Sequence, residues 1–348
     1  MSRLSPSALL RSVRPSPSQL GGLGGLRTRQ ASLSPHTPPI TPYDIFDEPS
    51  KARQRDRAIR RLKERGDPVG IVDYIREELA ERLAERVEDL KSPPKSILDL
   101  CSHSGQLTKI LQETLPEEER TWYMVEPSSE ALYRDADNSF PYPPRRIQAS
   151  PANILANPEL NVLKDTFEAV VSSAGLHWVG DIVGALTQIR HLLKPDGVFV
   201  GAVLGGDTLF ELRTSLQLAE QERRGGIANR VSPMINPTDA PSLLTRAGFT
   251  LTTVDIEDMS IRYPSMWELI SDLRDMGESN AILGRRAYIP RDVLLAAEGI
   301  YKEMYGSDAE PGVPATFQII YLIGWKPGPT EPKPLERGTG RTSLKDVL

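Results

Sequence analysis

A chain of 348 residues with 39% hydrophobic composition can bury one large core with additions, or two small ones. The single cysteine, Cys101, excludes intrachain disulfides and multi-cysteine zinc or iron–sulfur centres, and with only four histidines (His36, His103, His177, His191) no metal site is expected. No apolar run approaches the roughly 18 residues of a membrane span, so any membrane association is expected to be peripheral.

Charge is unevenly spread along the chain. From Met1 to Tyr43 there are five arginines (Arg3, Arg11, Arg14, Arg27, Arg29), many serines and no acidic residue before Asp44. This is the composition of a mitochondrial presequence, the alternative being a disordered Ser/Pro/Gly tail. Without residues 1–30 the net charge of −5 loses five positive charges and becomes −10. So acidic a body argues against general nucleic-acid binding.

Residues 51–65, KARQRDRAIRRLKER, set eight basic side chains against Asp56 and Glu64. Such a helix is either a solvated surface element or a docking face for an acidic partner or anionic lipid. After the break at Asp67-Pro68-Val69-Gly70, Ile71, Ile75, Leu79, Leu83 and Val87 recur four apart. They form one apolar stripe of an amphipathic helix that should pack on the main domain.

From Ser96 strands and helices alternate, as in a doubly wound α/β domain. Strands are expected at 97–100, 122–126, 168–173, 198–204, 249–255 and 317–325, with a short further candidate at 146–149. Helices are expected at 105–114, 128–134, 181–193, 208–222, 239–246, 265–275 and 291–304, and Lys194-Pro195-Asp196-Gly197 reads as a turn. The organisation is then a presequence and disordered segment at 1–43, a helical extension at 44–94, an α/β domain at 95–326 and a mobile tail at 327–348.

The series of strand, Gly-bearing loop, helix, acidic strand end and the LLKPDG turn resembles the class I S-adenosylmethionine-dependent methyltransferases. That resemblance implies a Rossmann-like, doubly wound seven-stranded sheet with an N-terminal helical extension. The strings VVSSAGLHWVGDI (170–182), LKPDGVFVGAVLGGDTLFELR (193–213), LLTRAGF (243–249), DLRDMGESNA (272–281) and VPATFQIIYLIGWKP (313–327) are more specific. Together they are similar to the mitochondrial complex I assembly factors of this fold. Those proteins are described as arginine hydroxylases acting on an iron–sulfur subunit of complex I, although first named methyltransferases. The resemblance runs from about Phe46 to the C-terminus. It implies an enzyme with a complex I iron–sulfur subunit or assembly intermediate as partner, while the acid-free N-terminal segment and the lack of a spanning run lead to the matrix, peripheral on the inner membrane, as the expected location.

S-adenosylmethionine is the cofactor the resemblance implies, with Asp99, Cys101, His103, Gly105 and Glu126 at its binding positions. Glycines in that loop let backbone N–H groups approach the ligand at a helix N-terminus. Here only Gly105 remains of three, and Cys101 and His103 occupy the other two positions. A non-glycine held in the left-handed region costs roughly 1–2 kcal/mol before any clash with ligand. Glu126 closes the second strand 21 residues after Gly105, the spacing of a ribose-binding carboxylate. Asp99 would orient loop and ligand, or simply be a satisfied turn residue. Cys101 could be nucleophilic near a helix N-terminus, or a buried structural thiol.

The substrate end falls at the carboxyl edge of the sheet. His177 would bond the substrate or act as base and Trp178 would wall its pocket, unless both are simply a packed loop. Gly205 and Gly206 permit close approach of a substrate backbone, while Asp207 or Thr208 is a natural N-cap of the next helix. A guanidinium substrate would want carboxylates such as Asp207 and Glu211, so His177, Asp207 and Glu211 are the catalytic candidates. Two alternatives remain open: a methyltransferase acting on a small carboxylate or acyl-carrier substrate, and a non-catalytic assembly chaperone. Fold does not choose among them.

Overall fold

The computed structural model describes residues 44–115, 119–307 and 309–331. The expected presequence and most of the C-terminal tail lie outside them. Two helices come first, α1 (Glu48–Arg65) and α2 (Tyr74–Glu88). Then follow β1 (Ser96–Leu100), α3 (Gln106–Thr114), β2 (Thr121–Val125), α4 (Ser129–Leu132), β3 (Arg145–Ile147), α5 (Pro158–Asn161), β4 (Phe167–Ser173), α6 (Ile182–Leu192) and β5 (Leu193–Leu204). The chain continues with α7 (Phe210–Arg224), α8 (Ala240–Arg246), β6 (Thr250–Tyr263), α9 (Met266–Asp275), α10 (Arg291–Tyr305) and β7 (Val313–Trp325).

The strands form one sheet in the order β3-β2-β1-β4-β5-β7-β6. The first five pair in parallel, whereas β7 runs antiparallel to both β5 and β6. This is the expected doubly wound, seven-stranded arrangement, and the strand order reverses between β1 and β4. Ligands of open α/β sheets bind at such a switch point, beyond the carboxyl ends of the strands. The central strands are near-continuous apolar runs because helices cover both faces. One face buries α2, α7, α9 and α10, the other α6 and α8.

Four local expectations change. Lys194-Pro195-Asp196-Gly197, expected as a turn, lies within β5, where the pairing with β4 shifts register and Asp196 takes φ 62. Ile71 lies before α2 and is 51% exposed, so the stripe consists of Ile75, Leu79, Leu83 and Val87, all buried. The strand expected at 249–255 extends to Tyr263, because β6 is an edge strand whose outward residues interrupt the apolar pattern. Neither Asp207 nor Thr208 caps α7: Leu209, at φ 53, stands at its N-cap and makes no side-chain capping bond.

Leu83 is fully buried between α2 and the sheet. Leu83→Ala should therefore lower the unfolding free energy by about 2–5 kcal/mol in urea titrations, and a loss under about 1 kcal/mol would mean that α2 is not docked on the core.

Candidate functional site

The loops after β1 and β4 meet at the switch point, and both are buried. Cys101 and His103 have φ values of 60 and 51, and Gly105 has φ 88. The backbone thus keeps the left-handed turns that glycine would favour, with side chains added at two of them. Cys101 is 1% exposed and lies against Gly175, where a Cβ would stand 2.1 Å from that of Cys101. Burial raises its pKa, reinforced by Glu126, so it is a packed thiol rather than a nucleophile. At Gly105 a Cβ would come within 2.8 Å of Met124 and Phe140, a close approach that requires glycine.

Asp99, at the end of β1, accepts a hydrogen bond from Thr108 Oγ1 at 2.7 Å and so ties strand to helix α3. Burial pushes its pKa up to about 7, against the Thr108 bond and with the help of nearby Glu126.

Helix α1 enters the cleft above these loops. Its eight basic residues are not all solvated, for Lys51 and Arg55, four apart, are each 3% exposed. Arg55 Nη1 lies 3.1 Å from Glu126 Oε1, and the Glu126 carboxylate also accepts from the backbone N–H of His103 at 3.3 Å and of Ser128 at 3.1 Å. The helix does dock on acidic groups, but they belong to its own chain. The second group is Glu278, which accepts from Trp178 Nε1 at 2.7 Å, Arg76 at 3.0 Å, and Arg55 and Lys51 at 3.4 Å. Burial opposes ionisation of Glu278, yet the surrounding cations outweigh it and hold its pKa well below the usual carboxylate range. The Lys51 ammonium stands 3.4 Å from the Trp178 ring centroid, and burial, only partly offset by Glu278, lowers its pKa to about 7.

A cavity of about 450 Å³ opens beside this junction. His177, Trp178, Thr208 and Glu278 reach its wall. Neither ring nitrogen of His177 has a hydrogen-bond partner among the described residues. Burial lowers its pKa to about 3; Glu278 opposes the shift while Arg55, Lys51 and Arg76 add to it. The imidazole is therefore held neutral, with one nitrogen a donor and the other an acceptor, both shielded from water and unpaired.

Other expected site residues go elsewhere. Glu211 is buried and accepts from Thr316 N at 3.2 Å and Thr316 Oγ1 at 2.5 Å, so it anchors β7 instead of facing a substrate. Asp207 is exposed and accepts from Gln318 Nε2 at 3.3 Å. Gly205 and Gly206 make room for Gln318 and Asn236 of this chain, not for a substrate backbone. Thr208 Oγ1 donates to Gln318 O at 3.1 Å. Lys51, Arg55, Arg76 and Glu278 were not legible as site residues, although the spacing of Lys51 and Arg55 and the DLRDMGESNA string held the signal.

The cleft as folded does not fit S-adenosylmethionine. The carboxylate that would take the ribose is fully buried and engaged by Arg55, and the loop where the methionine part would lie is filled by its own side chains. Among the described residues no group of three or more His, Cys, Asp or Glu side chains is placed to hold a metal ion.

Comparison with known proteins gives this geometry a lineage. Residues 72–254 match the family described as "Methyltransferase domain". The chain is 42% identical over 306 residues to "Arginine-hydroxylase NDUFAF5, mitochondrial" of Danio rerio, covering 87% of this chain and 89% of that protein. The chain belongs to this family. The Homo sapiens protein of the same name is 40% identical over 93% of this chain and 89% of its own length. A bacterial "Malonyl-[acyl-carrier protein] O-methyltransferase" from Laribacter hongkongensis is 28% identical over 76% of this chain and 86% of its own. The family is thus of methyltransferase fold, with enzymes named for hydroxylation on the nearer side.

Two measurements test the loop. Titration calorimetry should find no submicromolar binding of S-adenosylmethionine, with tighter binding when Cys101 and His103 are both replaced by glycine; tight binding to the unaltered chain would refute the reading. Between roughly pH 4 and pH 7 folded Asp99 holds a proton that the unfolded chain has released, so this group makes stability fall as pH rises through that window and adds no change above it. Asp99→Asn removes that slope. Its melting temperature relative to the parent should therefore improve from pH 5 to pH 7.5, and a constant difference would place the proton elsewhere.

Proposed function

We propose that the chain is a mitochondrial protein-arginine hydroxylase acting in the assembly of respiratory complex I, with an iron–sulfur subunit as substrate. The observation that carries this reading is identity of about 40% with proteins named arginine-hydroxylase, sustained over most of both chains. The geometry supports it at the cavity. There an entering guanidinium would replace the Lys51 ammonium over the Trp178 ring and share the Glu278 carboxylate, with neutral His177 beside them. Since Lys51, Arg55 and Arg76 already surround Glu278, an entering guanidinium would exchange with one of them. Asp207 and Glu211 take no part. Cofactor binding at Glu126 requires withdrawal of Arg55, which makes methyl transfer the less favoured chemistry.

The same reading places the protein on the matrix face of the inner membrane. No helix among the described residues is long and apolar enough to cross a membrane, and α1 keeps Arg53, Arg57 and Arg60 exposed. Salt or carbonate washing should release it; resistance to both would contradict the location.

Intact-mass analysis of complex I iron–sulfur subunits from a null strain tests the activity. The parent gene should restore the mass of one oxygen atom, and His177→Ala and Glu278→Gln should lose it, whereas Asp207→Asn should retain it. Gain of a methylene mass would favour the methyltransferase alternative. Complex I restored by His177→Ala with no mass change in any strain would favour a chaperone.

A further inference from the structure

The cavity is larger and more apolar than a guanidinium needs. Its closed end is made of buried Leu79, Leu212, Leu216 and Phe317. Five arginines line it, Arg76, Arg230, Arg274, Arg285 and Arg286, against the single acidic residue Glu278. Three of the five are already paired: Arg76 with Glu278, Arg230 with buried Glu220, and Arg285 with Asp47 at 3.1 Å. Arg274 and Arg286 are exposed and make no side-chain hydrogen bond or ion pair among the described residues. Exposed Ala287 and Tyr288 accompany them, so these arginines mark the open end of the cavity.

A cleft volume of about 450 Å³ is in the range that takes a small molecule. Its wall rewards an aliphatic body, at roughly 25 cal/mol per Å² buried. Its mouth rewards negative charge, because a guanidinium binds carboxylate or phosphate oxygens in pairs. A cationic ligand would meet uncompensated arginines there, and a neutral one would leave them unused.

We infer that this cavity binds an amphipathic anion: a carboxylate or phosphate at the end of an aliphatic chain, with the chain against Leu79, Leu212, Leu216 and Phe317 and the head at Arg274 and Arg286. The inference concerns the same cavity as the hydroxylase reading but other residues of it, so an anion at the mouth would compete with a guanidinium at Glu278; binding of the probes tests the one, and subunit mass the other.

Titration calorimetry on the full chain tests it with decanoate and decyl phosphate below their micelle concentrations, compared with decanol and butyrate. Both decyl anions should bind one to one, with decanol and butyrate each about tenfold weaker or more. The double variant Arg274→Gln, Arg286→Gln should weaken the decyl anions about tenfold at an unchanged melting temperature. Leu273→Trp, on the half-buried wall, should weaken decanol and the decyl anions alike while the fold is retained. Decanol binding as tightly as decanoate, or a double variant that binds like the parent, overturns the inference. So does recruitment to anionic phospholipid vesicles without binding of the monomeric probes, since that would assign the arginines to a membrane surface.

Discussion

The ion pair between Arg55 and Glu126 decides how this protein differs from an open nucleotide-binding α/β domain. Both side chains are out of water, the carboxylate completely. Burial of two charges is tolerated only when each is hydrogen-bonded on several sides. Here the backbone N–H groups of His103 and Ser128 complete the carboxylate, and Glu278 gives the guanidinium a second acidic neighbour. One side chain from α1 therefore joins the end of β2, the loop after β1 and the segment after α9. The cleft is closed by its own chain.

That closure explains features that would otherwise look unrelated. Cys101 and His103 sit in left-handed conformations that glycine favours, with their side chains packed inside the closed cleft. Left-handed non-glycine residues are uncommon, and the surrounding contacts must fix them. The contact of Cys101 with Gly175 does so, and carries the packing from the loop after β1 to the loop bearing His177 and Trp178. Cations that close the cleft also surround Glu278 and help hold His177 neutral. Cleft and cavity are thus one electrostatic unit, joined through Lys51, Arg55 and Arg76.

Much of the fold was legible because it rests on local patterns. Apolar runs at 97–100 and 168–173 mark buried parallel strands by composition alone, whereas 194–197 reads as a turn and lies inside β5. The edge strand β6 was only half visible, since its outward side chains are polar and break the pattern. The site was less legible for a different reason. Sequence spacing places His177 and Trp178 at the sheet edge, and it does so correctly. It cannot show that Glu211 turns toward Thr316, or that Asp207 meets Gln318, because those partners lie more than a hundred positions away. Basic residues in a charged helix read as solvated on average, so the two that turn inward, Lys51 and Arg55, are hidden among eight. Only the fold shows which face is buried.

A double-mutant cycle on Arg55 and Glu126 tests the central claim most directly. Removing one member of a buried ion pair leaves the other charge unpaired, at a cost of about 3–5 kcal/mol, whereas removing both relieves much of that cost. Arg55→Met and Glu126→Gln should each lower the unfolding free energy steeply, and the double variant should lie well above the sum of the two losses. Additive losses would contradict the account, for they would mean that α1 does not hold the cleft closed through this pair.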